Sequence, residues 1–288
     1  MKHLSGLCTS ALCVIALMGG GVSIINAQFE EYQSGWDRGQ DVSPTFDGWE
    51  RNTDGSYSFY FGYLNRNAAE KLDIEIGPDN SIDGGPDRGQ PTHFYPGRQW
   101  WVVKVVVPKD WPKEQRVVWT LRSRGRTNQA KAWLQPEWEV NADLISRNAR
   151  DPFLFLRADD RETEDENRPP AISGTGTQTV TLPQTATVVV TAVDDGRPKS
   201  TVPAEQAKGR RQPGIRFRWI VYRGVEPVRF EPETNGPFLT GTAKGETVVS
   251  FSAPGQYRLR AIASDGMAFS TFDVDVTVQP GPAGRAAR

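Results

Sequence analysis

Beyond residue 27 the chain contains no cysteine and a single histidine, His93. Thiol nucleophiles, disulfides and Cys/His metal clusters are therefore excluded from residues 28–288, and one imidazole remains for proton transfer. A histidine general base needs a nucleophile and an orienting carboxylate within hydrogen-bond reach. No Gly-x-Ser-x-Gly elbow supplies that nucleophile. His93, within GQPTHFYPGR, is expected to hydrogen-bond its own loop. Asp and Glu are plentiful, but no spacing picks out the pair that glycoside hydrolysis requires. The chain is not expected to be an enzyme.

Two other patterns could hold a ligand. In residues 79–90, DNSIDGGPDRGQ, Asp79, Ser81 and Asp83 fall at the first, third and fifth places of a calcium loop, with Gly84 sixth and Asp87 ninth. The twelfth place is Gln90, which cannot give a bidentate carboxylate, and Pro86 interrupts the loop, so a Gly/Asp turn is expected. The tryptophans are the stronger sign. Eight of the nine precede residue 157: Trp36, Trp49, Trp100, Trp101, Trp111, Trp119, Trp133 and Trp138. Trp111 and Trp138 sit in charged loops and are the expected exposed rings, suited to stacking on sugar faces. Trp119 and Trp133 suit a core. The adjacent Trp100 and Trp101 should lie on opposite faces of one strand and cannot both face solvent on one side.

The elements that must position these residues are strands. Residues 1–27 have the charged, apolar, small-residue order of a cleaved signal peptide, and 28–43 form a polar N-terminal segment. Residues 44–150 read as an antiparallel β-sandwich. Residues 45–52 and 56–65 pair across Asp54-Gly55, Leu72, Ile74 and Ile76 alternate, and 117–122 pairs with 128–134. The strand around residues 100–107 is apolar on both faces, which predicts a central position. A short helix is expected at 141–150. Residues 151–170 form a charged linker, closed by Pro169 and Pro170, and 280–288 a disordered tail. The fold class is therefore all-β, with two sandwich domains. A formal net charge of −1 gives no basic field for nucleic acid, and no segment after the leader is apolar enough to span a membrane.

Residues 171–279 carry about seven short strands separated by turns, which predicts an immunoglobulin-like sandwich. Trp219 sits in the third strand, and Tyr257 precedes Leu259 by the spacing of a tyrosine corner. The run Pro254-Gly255-Gln256-Tyr257-Arg258-Leu259-Arg260, followed by Ala263-Ser264-Asp265-Gly266 and a valine-rich last strand, resembles the closing hairpin of bacterial PKD-type or cadherin-like immunoglobulin-fold modules. That resemblance implies a non-catalytic spacer or binding unit. In the first half, Asp47-Gly48-Trp49-Glu50-Arg51-Asn52, residues 61–67 (FGYLNRN) and 89–94 (GQPTHF) resemble a group of uncharacterised exported bacterial proteins, which implies no activity.

Sandwich topology puts Asp159 and Asp160 of the linker at the same end as Asp194, Asp195 and Asp265. Cadherin-like modules hold calcium at such junctions, so the resemblance offers calcium as a cofactor. The basic loop containing Arg210 and Arg211 competes as a neutralising partner for the acidic linker and as a contact for ligands. The sequence thus leads to an exported, periplasmic or extracellular interaction module. Its partner would be a protein or polysaccharide of the cell envelope, with carbohydrate binding as the alternative and a carboxylate-dependent glycosidase as a weaker one.

Overall fold

A computed structural model describes residues 36–148, 151, 154–156, 167–201, 212–225, 227–239 and 241–281, without the side chains of 142, 143 and 146. The leader, Asp159 and Asp160, Arg210 and Arg211, and the tail from residue 282 lie outside the described residues. No helix among the described residues is long and apolar enough to cross a membrane.

The first half is built from paired hairpins. Strands β1 (Val42–Arg51) and β2 (Tyr57–Asn65) pair antiparallel, and β6 (Gly97–Val107) adds to β2. The β1–β2 turn uses Gly55 at φ +85°, with the Asp54 carboxylate accepting the Ser56 amide at 2.9 Å. A second sheet holds β4 (Asn80–Ile82), β7 (Val117–Ser123) and β8 (Arg126–Ala132). Arg124 and Gly125 both have positive φ, as a two-residue hairpin matching the twist of its strands requires. The short strands β3 (Leu72–Asp73) and β5 (His93–Phe94) form a third pair. Trp49, Phe59, Phe61, Tyr63, Phe94, Trp119 and Leu121 fill the core between these sheets. The helix α1 (Ala142–Asn148) falls where the sequence places it.

In the second half β9 (Ala171–Gly174), β11 (Ala186–Val193), β13 (Val228–Glu231) and β15 (Thr242–Phe251) form one sheet, in the order β13-β15-β11-β9. The other sheet runs β10-β17-β16-β12-β14, from β10 (Thr177–Thr181), β12 (Ile215–Arg223), β14 (Thr234–Phe238), β16 (Gly255–Ser264) and β17 (Phe269–Gln279). Val188, Val190, Phe217, Trp219, Leu259 and Val274 interlock between the two sheets. The tyrosine corner is present: Tyr257 is buried and its hydroxyl donates to the Ala253 carbonyl at 2.9 Å.

Two expectations need correction. Among the described residues the strand spanning residues 100–107 pairs only with β2, as an edge strand. Its second face is only partly covered: Val106 is 52% exposed, while Trp100 packs in one cluster with Phe269 of the second half. Among the described residues the immunoglobulin-like half has nine strands rather than about seven, because β9 and β14 read as loop in the sequence. The Gly236-Pro237 pair hides β14, and proline is tolerated there because β14 is an edge. Within this half one edge pair, β10 with β17, is parallel.

Candidate functional site

The site begins with a break in the β2–β6 ladder. Phe61 faces Val103 and Tyr63 faces Gln99, so Gly62 alone spans Trp100, Trp101 and Val102. The excess residues bulge, and Trp101 takes φ +57°, a left-handed conformation unusual for a bulky residue. Asp47 holds the bulge. Its buried carboxylate accepts the Trp101 amide at 2.8 Å and the Thr45 hydroxyl at 2.9 Å, and it pairs with Arg98. Burial pushes the Asp47 carboxyl up from its ordinary value, while Arg98 and the Trp101 amide pull it down. The Arg98 guanidinium lies 3.8 Å from the centre of the Trp100 ring.

This bulge defeats strand alternation. The Trp100 and Trp101 rings lie side by side, with centroids 5.9 Å apart and planes at 36°. They were expected on opposite faces. Trp101 is 8% exposed and Trp100 half-buried, and each indole N–H is buried with no hydrogen-bond partner. The sequence signal for this arrangement was Gly62 opposite a Trp-Trp pair, since only a residue without Cβ fits against Gln99, Arg98 and Asp47 there.

The same segment meets the second sandwich. Tyr222 on β12 is buried and donates to the Gly89 carbonyl at 2.6 Å. Arg223 donates to the Gln90 carbonyl at 2.9 Å and forms a two-pronged pair with Asp87, both contacts 2.8 Å. Arg260 on β16 donates to the Val102 carbonyl at 3.0 Å, is paired with Asp273, and lies over the Tyr222 ring. In return the Tyr95 hydroxyl accepts the Val221 amide at 2.9 Å. Hydrogen bonds to charged donors contribute about 1.5–3 kcal/mol each, so this set is large enough to hold the two sandwiches together.

On either side of that contact lies a hollow. One, of about 400 Å³, is walled by Trp100, Trp101, Tyr95, Phe155, Ile220 and Phe269 and carries the Arg218–Asp151 pair at 2.7 Å. Glu233 joins Arg218 at 3.5 Å. The other, of about 520 Å³, is bordered by Glu50, Tyr60 and Lys104, and shares Trp101, Tyr222 and Arg260 with the first. Tyr60 donates to Glu50, and burial with that neighbouring charge pushes its hydroxyl well above the usual phenol range.

Of the residues singled out from sequence, His93 joins Trp100 and Trp101 in lining the smaller hollow, and the others fall elsewhere. Trp138 is 42% exposed, but one ring face stacks on Phe46, with centroids 5.4 Å apart and planes at 17°. Trp111 is half-buried, edge-on to Phe59, and its N–H donates to the Gln115 carbonyl at 3.1 Å. His93 is buried and Nδ1 lies 2.7 Å from Asp73. In the 79–90 segment Asp83 accepts the Val118 amide and Asp87 binds Arg223, while Asn80 anchors Ile74, Pro91 and Trp119.

Asp194, Asp195 and Asp265 occupy two neighbouring loops. The Asp265 side chain is fully buried and accepts the Met267 and Ala268 amides at 2.6 and 2.7 Å and the Asn167 amide at 3.0 Å. Burial pushes its carboxyl up to about 7, with Asp194 adding to the rise and those hydrogen bonds opposing it. Asp194 caps the Gly196 amide and Asp195 those of Arg197 and Arg168. Among the described residues no group of three or more His, Cys, Asp or Glu side chains could hold a metal ion.

These features define an all-β protein of two sandwiches, the second immunoglobulin-like. No family model and no curated protein matches the sequence. Among solved structures the chain is similar to the PKD domain of human KIAA0319, at 17% identity over 49% of this chain and 97% of that one, with a TM-score of 0.21. It is also similar to a three-immunoglobulin-domain segment of titin, at 8% identity over 86% of this chain and 69% of that one, TM-score 0.26. Domains 4 and 5 of the S-layer protein SbsC give 12% identity over 83% of this chain and 98% of that one, TM-score 0.23. The fold assignment rests on the strand order and cores described above.

Proposed function

We propose that the chain is an exported, non-catalytic interaction module of the cell envelope or extracellular space, binding a protein or polysaccharide there. The observation that carries this reading is the junction: two sandwiches fixed to each other around an aromatic hollow, with their charged groups already paired. That arrangement suits holding a ligand in place. The carboxylates within the smaller hollow, Asp151 and Glu233, share Arg218, an arrangement that ties both to one cation instead of setting one up as acid and one as base. Signal cleavage and the envelope location belong to this proposal.

The test is to incubate purified protein with envelope polysaccharides, following association by calorimetry and bond cleavage by release of reducing ends. Association without new reducing ends is expected. Cleavage that disappears in Asp151→Asn or Glu233→Gln would overturn the non-catalytic reading.

A further inference from the structure

We infer that the hollow beside the Trp100–Trp101 bulge is a binding site for an uncharged sugar ring. The inference rests on the interaction-module reading and names its ligand class and site, which differ from the Trp111 and Trp138 surfaces expected from sequence.

Four observations carry it. First, the site is built: a buried carboxylate, Asp47, fixes a tryptophan at φ +57° to bring two indoles together. Such backbone is costly, and it persists where surrounding structure imposes it, commonly at binding sites. Second, both indole N–H groups are buried in the wall without an acceptor. Buried donors of this kind are uncommon, and they are a cost the fold carries to keep the two rings together. Third, the hollow offers aromatic surface from Trp100, Tyr95, Phe155 and Phe269, with a volume of about 400 Å³ suited to a small ligand. A sugar presents C–H faces to rings and hydroxyls to polar groups at once.

Fourth, charge selects against an anionic ligand. Arg98 is matched by Asp47, Arg218 by Asp151 and Glu233, and Arg260 by Asp273. Each group supplies donors and acceptors together, as neighbouring hydroxyls require, and the carboxylates outnumber the arginines, which leaves no positive charge to attract a uronate or phosphate. An extended peptide fits less well. It would need free backbone groups to pair with, and the Val102 carbonyl in this wall already accepts Arg260.

The experiment titrates the whole secreted chain with neutral β-1,4-glucan, β-1,4-mannan and α-1,4-glucan hexasaccharides. It reads heat, and the indole N–H resonances of ¹⁵N-tryptophan-labelled protein. One of the three sugars is expected to bind and to shift the Trp100 and Trp101 signals. Trp100→Ala should weaken binding about tenfold or more, as truncating an anchor residue does. Trp138→Ala should leave it unchanged. Because Trp100→Ala could disturb the bulge, Thr271→Phe provides a second variant. Thr271 is exposed at the rim of the hollow, so the added ring blocks entry without touching a core. Retained binding in both variants, binding lost only in Trp138→Ala, a response confined to acidic polysaccharides or to peptides, or no response to any of the three sugars would each overturn the inference. The last three results leave the interaction-module reading standing; only catalytic turnover removes that.

Discussion

At the scale of single residues, the buried Asp265 carries the clearest consequence. Its carboxyl titrates near 7 in the folded chain against an ordinary value of 3.8, chiefly because burial penalises the charge. Between those values the folded state keeps a proton that the unfolded chain has released, so stability falls as pH rises from about 4 to 7 and levels off above. The change is on the order of a few kcal/mol. Asp265→Asn should abolish that slope and leave the protein more stable than the parent at pH 8, as denaturant melts across pH would show. The variant fits because Asn167 can turn its amide, whose oxygen is buried without a partner, to accept from the new one. Asp265 was legible in the sequence as part of an acidic end. Its burial was not, because that depends on Leu156 and Ser264 closing over the loop through long-range contacts.

At the scale of elements, the long hairpins were legible because their residues alternate strongly. Tyr57, Phe59, Phe61 and Tyr63 announced β2, and Asp54-Gly55 announced its turn. The N-terminal half of β15 was hidden because its inward positions are Ala243, Gly245 and Thr247 rather than large apolar residues. Gly245 must be small, since a Cβ there would press on the Phe217 ring. The bulge was hidden for a different reason: period-two reasoning assumes an unbroken ladder, and Gly62 against three residues breaks it. Gly62→Ala puts a methyl group against the Gln99 carbonyl and Asp47, neither of which can retreat. The variant should lose roughly 3 kcal/mol or more, measurable by urea unfolding, and its Trp100 and Trp101 indole signals should move from their parent positions.

At the scale of the whole molecule, the described residues belong to one compact unit. Composition shows where charge collects, but it cannot show that Tyr222, Arg223 and Arg260 point outward from one sandwich onto carbonyls of another. The two halves should therefore unfold together, in one calorimetric transition. Removing the link with Tyr222→Phe and Arg260→Ala combined should split that transition in two, with each core still intact. A single unchanged transition in the double variant would mean that the halves are coupled by something else. The Arg223–Asp87 pair adds to the link above about pH 4. It should weaken as pH falls towards 2, because Arg223 holds the Asp87 carboxyl down at about 2.

The junction is also lopsided in what it asks of each partner. One side contributes side chains, Tyr222, Arg223 and Arg260; the other contributes mostly main-chain oxygens, those of Gly89, Gln90 and Val102. A main-chain oxygen survives replacement of the residue that bears it, provided the backbone path is kept. Position 102 should thus tolerate many replacements without loosening the assembly, while positions 222 and 260 tolerate few. Mutational drift in this protein can rewrite one half of its own docking surface and leave the other frozen.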